Sequence, residues 1–148
     1  MSKHPFALAA VAASVSLIAS AAHAQGDTFA GSWRAVMNIN GAMVEFDLVV
    51  QPNMAFSQTQ RSGGGMTMQT GEIQQTGPAT VTFVVEDWQP KTMPSYSFAP
   101  ECPGQPCWHQ IPTTKPPGGT WSYRFDNPNS LTMHDVYMGG DITYQRVG

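Results

Sequence analysis

The chain has 148 residues, of which 41% are hydrophobic and only 11% charged, with a net charge of −3. That length suits one domain with a substantial core. Seven basic residues against ten acidic ones, with no basic cluster, argue against nucleic acid or an anionic membrane surface as a partner.

Lys3 and His4 precede an apolar stretch from Phe6 to Ala22 that closes on Ala22-His23-Ala24. A basic start, an apolar middle and an A-x-A end predict a cleavable signal peptide over residues 1–24. The remainder, 25–148, is expected to be a single exported domain, periplasmic or secreted. Ala and Ser dilute the apolar run below what a membrane span needs, so no integral membrane segment is expected after cleavage. The two cysteines, Cys102 and Cys107, form a disulfide by default in an oxidising compartment.

Eight short β-type runs follow. The first, Gly31 to Ile39, places Trp33, Ala35, Met37 and Ile39 on one face, and Asn40-Gly41 is a strong hairpin turn. The second alternates Val44, Phe46, Leu48 and Val50 against Glu45, Asp47 and Gln51, the pattern of a strand buried on one side. The third runs from Met54 to Arg61 with Phe56, Gln58 and Gln60 in phase, and Ser62 to Gly65 makes a flexible tip. The fourth, Met66 to Gln74, contains a Gly71 that marks a candidate bulge, and the fifth spans Thr80 to Trp88. The sixth, Thr120 to Phe125, alternates Trp121, Tyr123 and Phe125. The seventh runs from Leu131 to Met138, and Gly139-Gly140 turns it into the eighth, Asp141 to Val147.

One gap interrupts this rhythm. Residues 89–118 hold eight prolines and both cysteines, and read as one long Pro-rich loop between strands five and six. The predicted fold is therefore all-β: an eight-stranded antiparallel up-and-down β-barrel, monomeric, with a disulfide-stapled lid. Alternating connections put the turns at Asn40-Gly41, Ser62 to Gly65 and Gly139-Gly140 at one rim with the long loop. At the opposite end, closure of the barrel brings Arg146 over Trp33 as a structural plug, with cation–π energy on the order of 1–2 kcal/mol.

With Gly31-Ser32-Trp33 opening the first strand and Arg146 on the last, the chain resembles the lipocalin-like (calycin) barrels, which carry a G-x-W and an Arg packed over that Trp at these places. The resemblance spans the architecture of residues 25–148 and three motif residues. It implies a carrier or sensor of a small, mostly apolar or amphipathic molecule. No C-terminal helix is visible, and the large loop lies between strands five and six rather than one and two.

By phase, the inward set at the open rim is expected to include Met37, Gln58, Gln60, Met66, Met68, Trp121, Tyr123, Tyr137, Ile142 and Tyr144. His109, just after the cysteines, leans toward the mouth. The candidate ligand-binding residues are thus Met37, Gln60, Met66, Met68, Trp121, Tyr123, Tyr137, Tyr144 and His109, with apolar burial from the Met and aromatic groups and orientation from Gln60, Tyr137 and His109. A barrel of this size is either filled by side chains or holds one ligand, and the sequence leaves both open.

Three other readings stand beside this one. Nine methionines, with Cys102, Cys107, His109, Met133, His134 and Met138 as further donors, are chemically suited to Cu(I), although no spacing requires a metal and no cofactor is expected. Asp87 and Asp135, in phase near the rim, are the one candidate acid/base pair. The third reading is a protein-binding module. The bacterial metalloprotease inhibitors of the calycin type share the G-x-W start and one disulfide, and use an N-terminal arm, here Gln25 to Ala30.

Overall fold

A computed structural model describes residues 28–148; residues 1–27, with the expected signal peptide and cleavage site, lie outside the described residues. Ten strands follow in order: β1 (Gly31–Ile39), β2 (Ala42–Val50), β3 (Ala55–Ser62), β4 (Gly65–Gly77), β5 (Thr80–Gln89), β6 (Thr92–Ser97), β7 (Cys107–Pro112), β8 (Thr120–Asn127), β9 (Ser130–Asp135) and β10 (Asp141–Arg146). Eight of them close an antiparallel up-and-down barrel in the order β1-β10-β9-β8-β5-β4-β3-β2. The arrangement is consistent with a lipocalin-like fold. No helix of the described residues is long and apolar enough to cross a membrane.

The alternation in β2 decides which side faces in. Val44, Phe46, Leu48 and Val50 are buried, whereas Glu45 and Asp47 face out and meet Arg34 and Arg61 on the neighbouring strands. Trp33, Leu48, Val81 and Leu131 are fully buried.

One end of the barrel is solid. Arg146 lies with its Cζ 4.1 Å from the Trp33 ring centroid and donates to the carbonyls of Ala30, Thr28 and Pro128 at 2.9 to 3.1 Å. Trp33 donates its indole N–H to the Phe29 carbonyl at 2.8 Å, and the Phe29 ring meets Tyr123 edge-on at 4.5 Å. The segment before β1 is thereby tied across the barrel floor.

The structure corrects the long loop. Residues 92–112 contain a second, two-stranded sheet, β6 paired with β7 from Thr92↔Pro112 to Ser97↔Cys107. The disulfide Cys102–Cys107 staples its tip, with Cα atoms 6.1 Å apart. Proline obscures these strands in the sequence, but Pro94 and Pro112 are tolerated because a two-stranded ribbon consists of edges only.

Local register explains further differences. β9 ends at Asp135, because the Asp135 carboxylate accepts the backbone N–H groups of Tyr137 and Met138 at 2.9 Å and starts a turn. Tyr137 and Met138 are therefore 81% and 87% exposed rather than inward. On β4, buried Ile73 sets the odd positions inward, so Gln69 and Thr67 face the interior, while Met66 points out and is 62% exposed. The bulge signalled by Gly71 is present: Thr70 pairs with Asp87 but Gly71 with Val85, leaving Glu86 as the extra residue. A Cβ at Gly71 would run into the Val84 carbonyl. The extra residue reverses the phase of β5, turning Asp87 outward and Trp88 inward.

Candidate functional site

Above the solid floor the barrel is hollow. An inner cavity of about 190 Å³ is walled by Phe46, Phe83, Trp121, Met133, Ile142 and Tyr144, and an outer one of about 300 Å³ by Thr67, Met68, Trp88, Met93, Thr113 and Pro116. Gln58, Gln60 and Gln69 line both and form the waist between them.

The opening exists because β5 and β8 pair only briefly, through Thr80–Thr82 against Thr120–Ser122. Beyond that point the segment returning from the hairpin takes the place of β8. Phe83 donates its N–H to the Gly119 carbonyl at 3.0 Å, and Gly118 lies so close to the Phe83 carbonyl that no side chain fits. This close approach seats Pro116 and Pro117 in the cavity wall.

Thr113 fastens the outer rim. Its hydroxyl accepts the Trp88 indole N–H at 3.0 Å and donates to the Pro90 carbonyl at 2.5 Å, while its own N–H meets the Lys91 carbonyl at 2.8 Å. Trp88 is held by its edge, and the Lys91 ammonium sits 3.4 Å from the ring centroid without lining the cavity.

The waist is a hydrogen-bonded chain. Gln69 donates its amide to the Gln58 carbonyl oxygen, and Gln58 donates to the Tyr144 hydroxyl at 3.0 Å. Burial pushes the Tyr144 phenol up to about 12, with the Gln58 hydrogen bond opposing the shift. Among the described residues Tyr144 is the one titratable group lining either cavity, and it is neutral at physiological pH. Among the described residues no carboxylate, ammonium or guanidinium lines these spaces.

The sequence-derived candidates separate into groups. Gln60, Trp121 and Tyr144 line the inner cavity, and Met68 edges the outer one although it is 37% exposed. Met37 packs against the core without lining a cavity. Tyr123 belongs to the floor, where its hydroxyl accepts from Gln75 at 3.1 Å. His109 lies on β7, 3.3 Å from the Ser97 hydroxyl, and Met66 and Tyr137 face solvent. Sequence reasoning passed over Gln69, Trp88 and Thr113. The phase of Ile73 is a signal for Gln69. Trp88 depends on the bulge, and Thr113 on the course of the returning segment.

Neither the copper set nor the acid/base pair is assembled. Both cysteines are in the disulfide, Met133 points inward, and the neighbouring His134 points outward to Asp141 at 2.7 Å. Asp87 faces out and is held below the usual carboxylate range, first by its hydrogen bond with Lys91, whereas Asp135 caps a turn. Compared with known proteins, the chain finds no match: no family model, no curated protein and no solved structure is significantly similar to it.

Proposed function

We propose that the protein is an exported, monomeric, lipocalin-like (calycin) binding protein that holds a small amphipathic molecule in the open end of its barrel. One observation carries this reading: two adjoining cavities share a waist of three glutamines between aromatic and thioether walls. Largely apolar concavities with a few convergent polar groups are the usual form of a small-molecule site. The disulfide supports an oxidising compartment, periplasmic or extracellular, and hence the cleaved signal peptide.

Native mass spectrometry of the protein recovered from the exported fraction tests this reading. We expect a non-covalent passenger mass that disappears on denaturation, and that is missing from a Thr67→Trp variant whose indole fills the outer cavity. A passenger that persists in the filled variant would place binding elsewhere.

A second reading is favoured by the outer face of the hairpin. Tyr96, Phe98 and Trp108 are 58%, 72% and 71% exposed, and Tyr96 meets Trp108 at 5.5 Å across the strands. Such aromatic exposure suits a protein contact through the hairpin. The described part of the N-terminal arm, Thr28 to Ala30, is a poorer candidate, since Phe29 is buried and the carbonyls of Thr28 and Ala30 are bonded to Arg146.

A further inference from the structure

Each polar atom of the waist can be assigned a partner or left open. Gln58 uses its oxygen on Gln69 and its nitrogen on Tyr144. Among the described residues the Gln69 oxygen has no partner and the proton of the Tyr144 hydroxyl has no acceptor. Gln60 makes no side-chain hydrogen bond to another described residue, so its amide offers both a donor and an acceptor.

The chain from Gln69 through Gln58 to Tyr144 also works in reverse. If both amides turn over, Tyr144 donates to Gln58, Gln58 donates to Gln69, and the open donor moves from the inner to the outer end. In either direction one end offers a donor and the other an acceptor. Above and below, the described residues form neutral walls: Trp88, Met68, Met93 and Pro116 outside, and Phe46, Phe83, Trp121 and Met133 inside.

We infer that the ligand is an uncharged molecule in which a hydrogen-bond donor and acceptor stand side by side, as in a carboxamide or lactam, on a flat apolar body. This rests on the binding reading above. A carboxylate or ammonium entering the waist would lose its hydration and meet no opposite charge, which disfavours it strongly. A purely apolar molecule would leave the Tyr144 donor and the Gln69 acceptor unpaired. An amide carries both a donor and an acceptor for these open groups, while Trp88 in the outer wall offers aromatic surface to a flat body.

Three molecules of nearly equal shape test the inference by isothermal titration: naphthalene-2-carboxamide, the naphthalene-2-carboxylate anion and 2-methylnaphthalene. The carboxamide is expected to bind roughly tenfold or more tightly than either of the others, because only it pairs the waist without a charge. Gln60→Leu and Gln69→Leu are expected to shrink that preference several-fold while methylnaphthalene affinity holds or rises. Their melting temperatures report that the fold is kept.

Equal binding of the carboxamide and methylnaphthalene, tighter binding of the carboxylate, or a preference unchanged in both variants overturns the ligand class and leaves the binding reading standing. Failure of all three molecules to bind overturns both.

Discussion

Arg146 and Trp33 are cross-strand partners on β10 and β1, the two strands whose pairing closes the barrel, and the guanidinium lies over the indole at 4.1 Å. The same guanidinium ties three carbonyls from two other segments, so it joins the last strand to the segment before β1 and to the turn between β8 and β9. Arg146→Ala removes the cation–π contact and all three bonds. It is expected to cost roughly 2 kcal/mol or more in denaturant unfolding. Arg146→Lys recovers only part of this, because an ammonium cannot present the planar fork. An unchanged unfolding midpoint in the alanine variant would remove the plug from the account of stability.

Gly71 is where β4 and β5 change register, and a methyl group there meets the Val84 carbonyl. Gly71→Ala forces the bulge to open and is expected to destabilise the fold by about 1–3 kcal/mol. Because the bulge also aims Trp88 inward, the Trp88 indole signal in solution spectra should shift in the same variant. A wild-type spectrum and midpoint would show that the bulge does not depend on the missing Cβ.

β6 and β7 pair with each other and not with the barrel, and of the residues in this hairpin only Met93 lines the outer cavity. Deletion of residues 95–109 with a short Gly-Gly closure is therefore expected to leave cooperative unfolding and ligand affinity nearly unchanged. Thr113→Val is expected to act in the opposite sense. It cuts the link between Trp88 and the Pro90 carbonyl, costs about 1–2 kcal/mol, and speeds ligand release. Stopped-flow release kinetics on both variants separate the hairpin from its base as the element that retains ligand.

The pH dependence has an acid and an alkaline limb. The Asp47 carboxylate is held below its ordinary range by the hydrogen bond from Arg34, with Arg61 adding to it against the cost of burial. A depressed folded value means that this stabilisation is complete above the unfolded value near 3.9, and is lost as pH falls through the folded one. Asp47→Asn should flatten that acid limb. Tyr144 runs the other way. Its neutral form is favoured in the fold, so its contribution is complete below pH 10 and is lost as pH rises through about 12. Tyr144→Phe should flatten the alkaline limb, and urea midpoints across both ranges check the pair.

The eight barrel strands, their up-and-down order and the Trp33–Arg146 pairing were legible in the sequence, whereas β6 and β7 were hidden by the prolines around them. The legible features depend on period-two alternation, on turn residues such as Asn40-Gly41, and on antiparallel closure, each of which is local or follows from connectivity. The disulfide was legible for the same reason, since five positions separate its cysteines. The cavity lining was only partly legible. Gln60, Trp121 and Tyr144 follow from strand phase, but one extra residue at Glu86 exchanged Asp87 for Trp88, and one cap at Asp135 turned Tyr137 out to solvent. Thr113 and Pro116 reach the site only because β8 begins too late to cover the upper half of β5. Alternation is a property of neighbouring residues, whereas a bulge, a cap or a short pairing is decided by which backbone groups across the sheet remain to be satisfied, and that is settled only when the barrel closes.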